Sequence, residues 1–338
     1  MNLKQPIFFK PNRVRRIYTG GKLFSDFFGD ASEDGFYPEE WVASSTHALN
    51  LGSTDPYEGI SLTEDGVYFS DLLKTNRSEL IGERDEMGLL VKMLDSAIRL
   101  PVQTHPDIPF SQKYFHSNHG KAESWVILAT RENACIYLGF KERIDVATFR
   151  AALNAGEEAL VPLLNRIPVK PGDVFFIPAR AVHAIGPGCL LLETQEPTDF
   201  TIQPEATCAD YVLTDYEKYL GLDPDIAFTC FDMDFLAEQA ERRCRKTPIA
   251  VDGKEALITQ EDTPCFAVNR ITVKEGADAP LSTCAVYVVT EGEGRVTGEG
   301  YARALKKGDY FFLPHIADGI SVESNTKMAV VQCLPPEI

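Results

Sequence analysis

One run of this chain occurs twice. KPGDVFFIPARAVHAI at 170–185 returns as KKGDYFFLPHIADGI at 306–320. Each copy holds a Gly-Asp turn, an aromatic pair in an apolar stretch, and a proline where a strand can end. A repeated turn–strand–proline unit is a strong constraint, because each copy needs the same kind of sheet around it. With Pro178 set on Pro314, His183 falls on Gly319. The copies therefore share mechanics and differ in chemistry. AVYVVTEGEGRV at 285–296 adds two short strands joined at a glycine turn.

The rest of the chain fits that reading. LLVKML, SWVILA, ACIYLGF, DVFFIPA and CLLLET are short apolar strands separated by Gly and Pro. One helix interrupts them, where Asp145 N-caps VATFRAALNA and Gly156 ends it. Thr214 with Glu217 makes a capping box, and DPDIAFTCFDMDFLAEQAERRCRK reads as helix in at least its second half. The expected fold is mainly β, two jelly-roll barrels with a few intervening helices rather than an α/β layer structure. A larger domain with helical insertions is expected over 1–245 and a smaller β-barrel without metal ligands over 246–338. At 338 residues the chain can bury two cores.

Charge narrows the partners. Thirty-three basic residues against 50 acidic give a net −17, which argues against nucleic acid and anionic membranes. Any anionic substrate then needs a locally positive site, which a bound dication helps to make. The eight cysteines form no CxxC pair and mostly sit in apolar runs, as buried reduced thiols do. No apolar run reaches membrane-spanning length, and the first residues lack a signal-peptide core, so a cytoplasmic location is expected.

The chemistry concentrates in two stretches. PVQTHPDIPFSQKYFHSNHGKAESW at 101–125 and the first copy of the repeat supply Gln103, His105, Glu123 and His183. An amide, a carboxylate and two imidazoles bind a borderline divalent metal through nitrogen and oxygen. Gln103 and His105 are two apart and would share one face of a strand. Lys121 is two before Glu123 and would share its face, as would Trp125. His116 and His119 flank a polar loop and are expected on the solvent side.

These stretches resemble the cupin metal site, and more narrowly the type I mannose-6-phosphate isomerase family. RRIYTGGKLFSDFFG, PEEWVASSTHA, LLVKMLDSAIRLPVQTHPD, GKAESWVIL and LLNRIPVKPGDVFFIPARAVHAIG occur in family order. The resemblance implies cupin-type barrels and one divalent metal, with zinc the first choice, on Gln103, His105, Glu123 and His183. It implies Lys121 and Glu193 as catalytic groups and a sugar or sugar phosphate as substrate, and Trp125, on the face of Lys121, is expected either to stack on that sugar or to pack in the core. Two positions depart from the family. Pro101 stands where a serine is common, and Gln203 takes the place of an arginine. Both belong to phosphate recognition in the family, so Arg180, three before His183, or Lys121 is the expected replacement cation. The leading expectation is a metal-dependent isomerase of mannose 6-phosphate and fructose 6-phosphate. A cupin isomerase or epimerase for another sugar, and a sugar-binding cupin without activity, stay open beside it.

Overall fold

The computed structural model describes residues 1–337. Two seven-stranded antiparallel sheets lie back to back, and a smaller sheet covers the far side of each. The first large sheet runs Arg245–Lys246, Val174–Ile177, Glu123–Thr130, Cys189–Gln195, Leu90–Ser96, Glu39–Val42, Arg13–Val14. Its partner sheet is Leu164–Pro168, Cys135–Phe140, His183–Ile185. Leu94, Trp125, Ile127, Phe175 and Leu191 pack between them against Ile136, Leu138 and Ile185. The second large sheet holds Tyr310–Leu313, Ala285–Glu291, Met328–Leu334 and Ala267–Val273, faced by Ser321–Ser324, Glu293–Gly298 and Tyr301–Lys306. This is the mainly β, jelly-roll arrangement expected.

The central strands are buried on both faces, so their sequences read as continuous apolar runs instead of alternating ones. In Leu90–Ser96, Val91 and Met93 join the core between the two large sheets, while Leu90, Lys92 and Leu94 point inward. The repeat is also structural. Gly172 and Gly308 have φ of 93° and 94°, a conformation that favours glycine. Asp173 accepts the Lys170 N–H and Asp309 the Lys306 N–H, so one turn design launches both strands.

Two short strands cross the boundary expected at 245/246. Lys246 still pairs with Val174 of the first sheet, and Ile7–Phe8 adds to the edge of the second through Phe311–Phe312. Helix 146–155 forms with the Asp145 cap, and the Thr214–Glu217 capping box is present. The helix expected late in 223–246 forms as Ala237–Gln239 running into one π-turn at Ala240–Cys244, and an interruption separates it from the short helix Pro224–Phe228. The interruption has a local cause, because Asp232 caps the Asp234 N–H and gives its own N–H to Arg180, while Phe231 and Phe235 turn into the core.

Candidate metal and acid–base site

The site lies between the first large sheet and its cover. His183 begins the strand His183–Ile185, and Gln103 stands opposite it. Each donates its backbone N–H to the other's carbonyl at 2.9 Å. Directly opposed residues project to one side. The next pair along the chain continues the pattern, with Thr104 bonded to Ile202, and His105 beyond it is buried. Glu123 opens the strand Glu123–Thr130 and Glu193 lies on the neighbouring strand Cys189–Gln195.

His105, Glu123 and His183 converge, with one ligand atom from each within 4.8 Å of the others. Nδ1 of His105 lies 2.8 Å from the Phe200 carbonyl, and Nδ1 of His183 lies 2.9 Å from the Ala181 carbonyl. A carbonyl only accepts, so each Nδ1 carries the proton and each Nε2 holds a lone pair. Those two Nε2 atoms are 3.2 Å apart, and His105 Nε2 is 3.0 Å from Glu123 Oε1. Two lone pairs and a carboxylate oxygen gathered this closely need a cation among them. Here the Lys121 ammonium serves, 2.6 Å from Glu123 Oε1 and 3.0 Å from His105 Nε2. The donor set fits a divalent metal in chemistry and spacing, and the carbonyls behind the imidazoles are the usual orienting partners. Gln103 lines the same cavity.

Electrostatics keep these donors in a form that can bind a cation. Burial, then the neighbouring His105, pushes His183 down to about 3. Burial and Lys121 likewise lower His105. Burial works to raise Glu123, but Lys121 and His105 outweigh it and hold the carboxyl well below its usual range. Glu193 goes the other way, pushed up to about 8 by burial and the charge of Glu123. One carboxyl is held ionised and the other is raised to about 8, a separation that would suit distinct acid–base roles.

A second group of buried charges was not anticipated as part of the site. Arg16 forms a two-pronged pair with Asp199, at 3.0 and 3.1 Å, and its Nε lies 3.0 Å from Glu39. Glu39 also accepts from Tyr18 and from the Trp41 indole. Lys92 sits 3.6 Å from Glu193 and 3.9 Å from Glu39. All of these except Trp41 line the cavity. A lysine inside the apolar run LLVKML was the available signal for Lys92.

Two expected substrate contacts are corrected. Arg180 does not line the cavity. Its φ of 70° marks a left-handed turn, and the guanidinium instead donates to the carbonyls of Thr229 and Cys230. Trp125 is fully buried and also absent from the cavity wall. Its ring meets the His183 imidazole edge-on, with centroids 5.6 Å apart, so it backs that histidine and does not face a sugar. Pro101 and Gln203 line the cavity, His116 is exposed, and His119 pairs with Glu86 away from the cluster.

Paired jelly-roll sheets enclosing a cluster of two histidines and a carboxylate define a cupin. A family pattern described as "Mannose-6-phosphate isomerase, cupin domain" matches residues 250–333. Mannose-6-phosphate isomerase ManA of Bacillus subtilis (strain 168) is 30% identical over 322 residues, covering 92% of this chain and 93% of that protein. A mannose-6-phosphate isomerase of Streptococcus mutans is 28% identical, covering 93% of each. The chain belongs to the mannose-6-phosphate isomerase family. Its fold is that of the crystal structure of the mannose 6-phosphate isomerase from Bacillus subtilis, with a TM-score of 0.77 at 24% identity over 97% of this chain and 99% of that one. The putative mannosephosphate isomerase from Archaeoglobus fulgidus shares it too, with a TM-score of 0.74 at 18% identity over all of both chains.

Proposed function

We propose that this protein interconverts mannose 6-phosphate and fructose 6-phosphate, using one divalent metal held by Gln103, His105, Glu123 and His183. Zinc is the metal that a nitrogen and oxygen donor set without thiolate takes first in this reading. The observation that carries it is the pair of Nε2 lone pairs 3.2 Å apart beside Glu123, which lines one cavity with Lys121 and Glu193. When bound, the metal supplies a Lewis acid for the sugar oxygens. The chain's own groups do the rest. Aldose–ketose isomerisation moves a proton between C1 and C2, and a carboxyl near neutrality, as Glu193 is, both takes and gives one. Lys121 supplies positive charge where an oxygen becomes negative. Lys92 and Arg16, fixed by Glu39 and Asp199, line the same cavity. All eight cysteines are free thiols, which supports a reducing compartment such as the cytoplasm.

A second reading has its own support. The cations lining the cavity among the described residues are Arg16, Lys92 and Lys121, and each faces a carboxylate. Gln203 adds no charge. A neutral hexose suits such a wall as a substrate of the same chemistry. Assay of the purified protein against phosphorylated and free hexoses, with elemental analysis of the same sample, separates the two. Turnover confined to free sugars would replace the first reading by the second. Bound metal with no turnover on any hexose would leave a sugar-binding cupin.

A further inference from the structure

Lys121 reaches the cavity from outside any regular strand. The strand beside it starts only at Glu123, so residues 120–122 have no full ladder partner. Side chains hold their backbone instead. Glu196 is 3% exposed. Its Oε1 accepts the Gly120 N–H and its Oε2 accepts the Ala122 N–H, both at 2.9 Å. The Glu196 N–H returns to the Ala122 carbonyl at 3.1 Å. The Thr198 hydroxyl donates to the Gly120 carbonyl at 2.7 Å, and the Lys121 N–H to the Pro106 carbonyl at 2.9 Å. The clamp itself is braced, because Gln195 Nε2 donates to the carbonyls of Glu196 and Thr198. There is no slack, since a Cβ on Gly120 would stand 2.6 Å from the Pro106 oxygen.

We propose that Glu196 is a positioning residue for catalysis, one that grips the chain on both sides of Lys121 and so sets where its ammonium enters the cavity. A carboxylate is required because both grips are acceptors. A glutamine accepts on one oxygen and turns its NH2 against the other N–H, leaving a buried donor unpaired. Glu196 does not line the cavity, so its effect on the reaction runs through Lys121. The inference rests on the isomerase reading for its kinetic part and on geometry alone for the clamp.

The test uses Glu196→Gln in the metal-loaded protein, with two readouts. Hydrogen exchange of the segment spanning Gly120–Ala122 should accelerate ten-fold or more. In mannose 6-phosphate isomerisation, kcat should fall ten-fold or more while KM stays within about three-fold. Adding Glu196→Gln to Lys121→Ala should cost nothing further, because a residue acting through Lys121 has nothing left to position. Unchanged exchange overturns the clamp. Faster exchange with unchanged kcat, or losses that add in the double variant, overturns the positioning role. An inactive wild-type protein overturns the isomerase reading alone, and exchange still decides the clamp. If Glu196→Gln fails to fold, Thr198→Val removes one bond of the same clamp and should shift exchange and kcat in the same directions by smaller factors. No shift in either would overturn the proposal.

Discussion

Glu193 and Lys92 stand directly opposite each other on neighbouring strands, carboxylate and ammonium 3.6 Å apart, in a position that water scarcely reaches. Lys92 also faces Glu39, so one cation serves two acids. Lys92→Met should destabilise the metal-free protein by about 3 kcal/mol at pH 8.5, where Glu39 loses a neighbouring cation and Glu193, no longer lowered by Lys92, must hold its proton against the solvent. At pH 6 the loss should be smaller, because Glu193 is then protonated. Urea unfolding at the two pH values reads the difference, and equal losses would show that Glu193 is not the titrating partner.

The same carboxyl sets a pH dependence. Its ordinary value is 4.5 and its folded value is about 8, so the folded state binds the proton more tightly. The stability this gives is complete below about 4.5 and disappears as pH rises through 8. Metal-free protein should therefore lose Tm between pH 5 and 8. Glu193→Gln has no proton to lose and should flatten that part of the curve. An unchanged slope in the variant assigns the effect to another group.

His183→Ala removes one of two oriented imidazoles from the proposed metal site. Bound metal and isomerase activity should fall together, since the remaining donors make a weak site. Elemental analysis of the purified variant is the check, and full metal content would show that His183 is misassigned.

Arg180→Ala should leave KM for mannose 6-phosphate within two-fold, because the guanidinium bonds the carbonyls of Thr229 and Cys230 and not the cavity. The expected cost is about 1 kcal/mol of stability from the lost loop contacts. A ten-fold rise in KM would return Arg180 to the substrate.

What the sequence disclosed follows from the range of the forces involved. The Gly-Asp turns at 172 and 308 were legible because a left-handed glycine and an Asp three residues beyond the N–H it accepts are local features. His105, Glu123 and His183 were legible as motif residues, and sheet pairing brought them together as their alternation implied. Arg16, Glu39 and Asp199 were not, since a buried ion pair across 183 residues leaves no spacing to read. Arg180 misled for a local reason. Three residues separate it from His183, but the left-handed turn at Arg180 sends its side chain the other way. Trp125 was placed on the correct face, one layer behind the cavity surface. Alternation reports a side chain's direction and leaves its depth open.

The strand Ile7–Phe8 lies against Phe311–Phe312, about three hundred residues further along the chain. On a ribosome the early strand emerges long before its neighbour exists. It must wait, with Ile7 and Phe8 uncovered, until the distal barrel is made. The first barrel can close its own sheet in the meantime, because none of its ladders needs a residue beyond Lys246. Assembly then ends in a stitch that adds the first strand of the polypeptide to the edge of the second large sheet. A nascent chain stalled after residue 250 should therefore present the sugar cavity almost complete while its opening segment is still a ready target for proteases and chaperones.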